Sequence, residues 1–146
     1  MSRVLAVDWG ERRVGLALSD PGGIIATGLE TLEVRGRDDA VARVAVRARE
    51  VEADRIVVGM PLLMSGERGA AARAAQDFAE LLAAALTIPV ETYDERLTST
   101  ISQRRLREVG VRTGHARSRI DQGAAVVLLE SFLLRLRARA EGEATP

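Results

Sequence analysis

Three carboxylates stand where an acid is hard to explain as ordinary surface. Asp8 directly follows the apolar run Val4-Leu5-Ala6-Val7, and Glu95 follows the segment from Pro89 to Thr92 within Asp94-Glu95-Arg96. Asp121 stands one helical turn before Ala125, at the head of an apolar helix face. A carboxylate beside a buried segment is costly unless it is paired or bound to a cation. Three that converge, with no histidine or thiol beside them, suit hydrolysis of a phosphodiester by two divalent cations. One cation lowers the pKa of the attacking water and the other stabilises the leaving oxygen, at a separation of roughly 4 Å. Asp8, Glu95 and Asp121 are therefore the expected catalytic residues and metal ligands, and two Mg²⁺ or Mn²⁺ ions the expected cofactor.

Each acid also has a plainer reading. Asp8 could turn the chain before Gly10, Glu95 could pair with Arg96 or face water, and Asp121 could cap the helix it opens. Two patterns favour the functional readings. Strand alternation predicts that one of Asp94 and Glu95 points into a site and the other away. The face made of Ala125, Leu128, Leu129, Phe132, Leu133 and Leu136 places Asp121 on the side toward a sheet. The small residues Ala124 and Ala125 let that helix start approach the strand ends closely.

Composition narrows the chemistry further. The chain has no cysteine, which excludes disulfides, thiolate metal sites and a thiol nucleophile. Its only histidine is His115, so neither a histidine-rich zinc site nor a Ser-His-Asp triad fits. A metal would have to be held by oxygens, as Mg²⁺ and Mn²⁺ are. Formal net charge is +0, so a nucleic-acid partner would have to be met by a local patch. Every cation is an arginine. That suits bidentate phosphate binding, although codon bias in a GC-rich genome explains it as well.

The candidate phosphate contacts are Arg104, Arg105 and Arg107 on one helix and Arg112, Arg117 and Arg119 in the loop running into Asp121. Of these, Arg104, Arg105, Arg117 and Arg119, together with Arg13 and His115, are the expected substrate-binding residues. For His115, solvent exposure in the loop is the plain alternative. Gly59-Met60-Pro61 and Ser65-Gly66-Glu67-Arg68-Gly69 flank a helix start and could cradle a phosphate. They match no Walker pattern, because the lysine is missing, and an ordinary strand-to-helix loop is the better reading.

The elements that must position these groups follow from periodicity. Strands are expected at Val4–Val7, Val14–Leu18, Ile24–Val34, Ile56–Val58 and Pro89–Thr92, with a turn at Ser19-Asp20-Pro21-Gly22-Gly23. Helices are expected at about 38–51, 67–86, 98–109 and 121–139. The order βββαβαβαα describes an α/β domain with a mixed five-stranded sheet and helices on both faces. One domain covers residues 1–139, and 140–146 reads as a frayed tail. No signal peptide or long apolar span is visible, so a cytoplasmic, non-membrane protein is expected.

These residues resemble a known family. Asp8-Trp9-Gly10-Glu11-Arg12-Arg13-Val14-Gly15 looks like the DxGxxRxG opening of the YqgF/RuvX family, continued by Ser19-Asp20-Pro21, Gly23 and Ala26. Gly59-Met60-Pro61-Leu62 is similar to its GxPL segment, and Asp94-Glu95-Arg96-Leu97-Thr98-Ser99 to its DERLTS motif. Ile120-Asp121 with Ala124-Ala125 is similar to its IDxxAA motif. The likeness runs from about Arg3 to Leu134. It departs at the bulky Trp9, at Gly28 where many relatives carry proline, and at Arg117 and Arg119 where lysines are common.

The resemblance implies an RNase H-like fold, kinship with Holliday junction resolvases and a role in maturing the 5′ end of small-subunit ribosomal RNA precursors. The carboxylates it carries over are Asp8, Glu95 and Asp121. The expected partner is nucleic acid, either pre-rRNA within the ribosomal small-subunit precursor or branched or single-stranded DNA, bound by a monomer or a homodimer. A four-way junction resolvase is the alternative with the same chemistry, and it would need a dimer to make two symmetric cuts. A non-catalytic nucleic-acid-binding module gains nothing from three anions near phosphates. An ATP-binding fragment of the actin/hexokinase kind normally needs two such domains, for which this chain is too short.

Overall fold

The computed structural model describes residues 2–98 and 117–144, with side-chain surroundings for 2–98 and 123–142. Strands β1 (Val4–Asp8), β2 (Arg13–Ser19), β3 (Ala26–Gly28) and β4 (Leu32–Glu33) come first. Helix α1 (Arg37–Glu50), β5 (Arg55–Met60), α2 (Ala70–Ala85) and β6 (Val90–Asp94) follow, then a 3-10 turn (Glu95–Leu97) and α3 (Arg117–Ala144). The expected helix over 98–109, with Arg104, Arg105 and Arg107, and the loop residues Arg112 and His115 lie outside the described residues.

The strands line up as β3-β2-β1-β5-β6, with β4 pairing β2 off this path. β1 and β2 form an antiparallel hairpin with Asp8 opposite Gly15. β5 runs parallel to β1, and β6 runs parallel to β5 with Asp94 opposite Met60. The carboxyl ends of β1, β5 and β6 therefore lie on one edge.

The strand expected over Ile24–Val34 is two strands, so the sheet has six rather than five. Ile24 and Ile25 remain outside it, each 61% exposed. β3 pairs the end of β2 and β4 pairs its start at Arg13 and Val14. Between them Leu29 turns onto the core beneath the sheet, and Glu30 leaves for Arg47 on α1 at 2.7 Å. Leu29 keeps a bond to β2, its N–H donating to the Leu16 carbonyl at 2.9 Å, before the chain passes on to β4.

Helix boundaries shift for equally local reasons. α1 starts after Gly36, whose φ of 102° only glycine adopts without strain. Asp39 then accepts the Arg35 backbone N–H at 2.8 Å. α2 starts at Ala70 rather than Glu67, because Gly66 (φ 89°) and the Leu63 N–H to Glu67 C=O bond close the preceding loop on itself. α3 starts at Arg117 rather than Asp121 and reaches Ala144. Arg117 and Arg119 are thus helical rather than part of a loop, and Asp121 lies inside the helix, so it is not an N-cap.

Alternating residues of the buried strands feed two cores. Leu5 and Val7 of β1 and Ile56 and Val58 of β5 meet α1 and α2 through Val44, Phe78 and Leu82. Val4, Ala6 and Val57 face α3 through Ala125, Leu128, Leu129 and Phe132. Burial of each large side chain is worth roughly 1.5–3 kcal/mol, so both helix layers are firmly attached to the central strands. Among the described residues no helix is long and apolar enough to cross a membrane.

Candidate active site

Asp8 is the last residue of β1, and alternation places it on the same sheet face as Val4 and Ala6, the face covered by α3. Glu95 begins the 3-10 turn directly after β6. Both line one pocket of about 280 Å³ at the carboxyl edge, with Trp9, Gly10, Glu11, Gly59, Pro61, Ala71, Ala74 and Ala75. In parallel sheets this edge is where ligands are met.

The two adjacent acids after β6 have opposite environments. Asp94 accepts from Arg96 through the backbone N–H at 2.9 Å and the guanidinium at 2.7 Å. That hydrogen bond to the guanidinium holds the Asp94 carboxyl below its usual range. Glu95 turns into the pocket. Burial raises its carboxyl above the ordinary value, and the Asp94 charge adds to the effect. Among the described residues no cation pairs with it. The cause of the divergence is the turn, not strand alternation. Asp94 ends the strand as the N-cap of the 3-10 turn, and the tighter winding after it swings Glu95 inward.

Gly59, near the end of β5, makes room for this. A Cβ there would lie 3.2 Å from both Cγ and Cδ of Glu95 and collide with its Oε1. A similar constraint holds Gly10, where a Cβ would lie 2.5 Å from the Arg13 carbonyl oxygen. The glycine at position 59 is therefore a site residue that sequence reasoning missed. The motif Gly59-Met60-Pro61 was legible as a loop, a possible phosphate cradle and a family segment, but nothing local shows that the Glu95 carboxylate occupies the space where a side chain would be.

Trp9, the bulky departure from the family pattern, is packed against the protein. Its indole stacks on Phe78 of α2, with ring centroids 4.7 Å apart and an interplanar angle of 14°. One ring face is thus committed to the protein, an arrangement worth about 0.5–1.5 kcal/mol beyond burial. Trp9, Glu11 and Ala74 border both the acidic pocket and a second, larger groove of about 890 Å³. Arg13, expected to meet substrate, lines that groove with Arg12, Arg35 and Arg37.

Asp121 lies on α3 one turn before Ala125, which is fully buried against β1, β2 and β5. α3 packs on β1, β2 and β3. Farther along the helix, Ser131 ties it to the carboxyl edge: its hydroxyl donates to the Leu97 carbonyl at 3.0 Å and meets the Tyr93 hydroxyl at 2.8 Å. Arg117 and Arg119 stand on the turn that precedes Asp121.

A mixed sheet with this strand order, an acid at the end of its first strand and a long helix across one face define an RNase H-like fold. Two solved structures share the fold. RuvC of T. thermophilus in complex with a Holliday junction substrate aligns with a TM-score of 0.57 at 17% identity, covering 93% of this chain and 96% of that one. The fowlpox virus Holliday junction resolvase aligns with a TM-score of 0.59 at 10% identity, covering 91% and 99%.

The chain belongs to the RuvX family, whose model, described as Holliday junction resolvase, matches residues 2–135. A relative from Chloroflexus aurantiacus, named as a pre-16S rRNA nuclease, is 42% identical over 130 residues, which is 89% of this chain and 85% of the relative. One of the same name from Mycobacterium ulcerans is 43% identical over 97% of this chain and 84% of its own. Membership of this nuclease family makes the protein a hydrolase of phosphodiester bonds.

Proposed function

We propose that the protein is a cytoplasmic, metal-dependent nuclease that trims the 5′ end of pre-16S rRNA, with Asp8, Glu95 and Asp121 as its catalytic carboxylates. The observation that supports this most directly is the pocket shared by Asp8 and Glu95, with Gly59 kept open beside Glu95. Glu95 is partly buried and, among the described residues, pairs with no cation, so its negative form is stabilised by a positive charge brought to the pocket. The donors are all oxygens, which fits Mg²⁺ or Mn²⁺. Bound there, two such ions would activate water and offset charge on the phosphate.

The chain's own residues do the rest. Gly59 leaves Glu95 its place, and the Asp94–Arg96 pair occupies the guanidinium that would otherwise neutralise Glu95. Asp8 is held by the hairpin opposite Gly15. Arg117 and Arg119, one turn before Asp121, are suited to hold substrate phosphates. Arg104, Arg105 and His115 complete the proposed substrate contacts.

The test is cleavage of pre-16S rRNA, single-stranded DNA and a four-way junction by the purified chain, with Mg²⁺, with Mn²⁺ and with EDTA. Metal-dependent cleavage at the 5′ side of the rRNA precursor is the expected result. Undiminished cleavage in EDTA would refute the metal reading. A second reading, junction resolution, rests on the family description and the resolvase folds. It would show as paired symmetric cuts in the four-way junction by a dimer, with the rRNA precursor left intact.

A further inference from the structure

We infer that the groove beside the acidic pocket is a second substrate subsite, which grips the phosphodiester backbone of a single strand leaving the cleavage point. The inference rests on the nuclease reading above. The groove shares Trp9, Glu11 and Ala74 with the acidic pocket, so a strand whose phosphate sits at Asp8 and Glu95 reaches it by passing these three residues. At about 890 Å³ it is three times the size of the pocket, ample for a nucleotide unit by the scale of ligand sites, about 300–1,000 Å³.

Among the described residues Arg12, Arg13 and Arg35 of the groove are in no ion pair, although the Arg35 charge acts on Asp39, so their guanidiniums are available to a phosphate. Among the described residues Arg37 pairs only with its neighbour Asp38, at 3.8 Å. These guanidiniums come from two segments, Arg12 and Arg13 where the turn after β1 enters β2, and Arg35 and Arg37 where the chain enters α1. The two are clamped together by Val34 N–H to Arg12 C=O at 2.9 Å and Gly36 N–H to Glu11 C=O at 3.2 Å. Their spacing is thus held by backbone, which lowers the entropic cost of meeting a strand.

The groove also holds Glu11, Glu33, Asp38 and Asp77, so it carries no broad positive field. Binding there comes from a few placed contacts, and its salt dependence is correspondingly shallow. Trp9, rigid against Phe78, is the wall a base or sugar passes between the two sites.

The experiment compares binding of a dinucleotide and of a longer single-stranded RNA, read by fluorescence anisotropy in EDTA across a salt series. Wild type should prefer the long strand. In Arg12→Ala/Arg35→Ala that preference should shrink about tenfold, and the salt slope for the long strand should fall by about 1.4, at roughly 0.7 per contact for a single strand. Arg135→Ala/Arg139→Ala, which removes the same charge from α3, should leave the preference as it is. Neutralising the groove acids in Glu33→Gln/Asp77→Asn should raise it.

Equal loss in the two arginine variants would make the effect one of net charge and overturn the subsite. So would an unchanged preference in Arg12→Ala/Arg35→Ala. Failure of the nuclease reading itself would appear separately, as absence of metal-dependent cleavage by wild type.

Discussion

The two edges of the central sheet treat charge in opposite ways. At the amino edge of β1 and β5, opposite charges and satisfied polar groups meet. The Arg3 N–H donates to Asp54 at 2.8 Å, Arg55 lies 3.7 Å from Glu91, and Val4 N–H donates to the buried Ser19 hydroxyl. At the carboxyl edge the acids Asp8, Glu11 and Glu95 line one pocket, and Arg96, which follows Glu95, is paired with Asp94. The first arrangement stabilises the fold. The second concentrates like charge where it costs stability, which is the pattern of a site kept for a cation or a reaction.

The sharpest way to break this contrast is to remove charge at the carboxyl edge. Asp8→Asn, Glu95→Gln and Asp121→Asn should each lower cleavage at least about a hundredfold, roughly 2.7 kcal/mol of transition-state stabilisation. The metal-free melting temperature should hold or rise, because crowded anions have been relieved. A cleavage assay and a melting curve on each variant check both halves. For Asp121 the comparison is cleaner than a capping residue would allow, since it stands inside α3 and asparagine there replaces no cap.

Next in size is Gly59→Ala. The methyl would displace the Glu95 carboxylate, lowering turnover by about tenfold or more and stability by about 1–3 kcal/mol. Adding Glu95→Ala to that variant should restore the melting temperature and leave activity lost. If stability stays low in the double variant, the clash lies elsewhere.

The pH dependence sharpens the contrast within a single dipeptide. The Glu95 carboxyl is raised in the folded protein, so folding favours its protonated form. Metal-free wild type should lose stability relative to Glu95→Gln as pH climbs past the ordinary 4.5 of glutamate. Asp94 is depressed and behaves oppositely. Its contribution is present above the ordinary 3.8 of aspartate and is lost as pH falls through its lowered value, so wild type should exceed Asp94→Asn only on the alkaline side. Melting temperatures across pH in EDTA would show the two differences opening in opposite senses.

The smallest effect belongs to the amino edge. The Arg55–Glu91 pair is partly exposed, with side chains 33% and 43% accessible, so Arg55→Ala should cost less than about 1 kcal/mol. Cleavage should be unchanged. A large activity loss there would mean that the two edges are not functionally distinct.

Much of this was legible from residues alone, where the signal is short-range. Apolar runs and helical periodicity located the central strands, α1, α2 and the buried face of α3, because burial on one face imposes a period on neighbouring side chains. Asp8 and Glu95 stood out for the same local reason, as acids directly after such runs. What the tertiary structure alone decided depends on residues far apart in sequence. Between β3 and β4, Leu29 packs on the core and Glu30 pairs with Arg47 of α1, partners that no local pattern shows. Gly59 must lack a side chain because the parallel register of β5 and β6 brings it against Glu95, and strand register is set by packing across the whole sheet, beyond the reach of any local pattern.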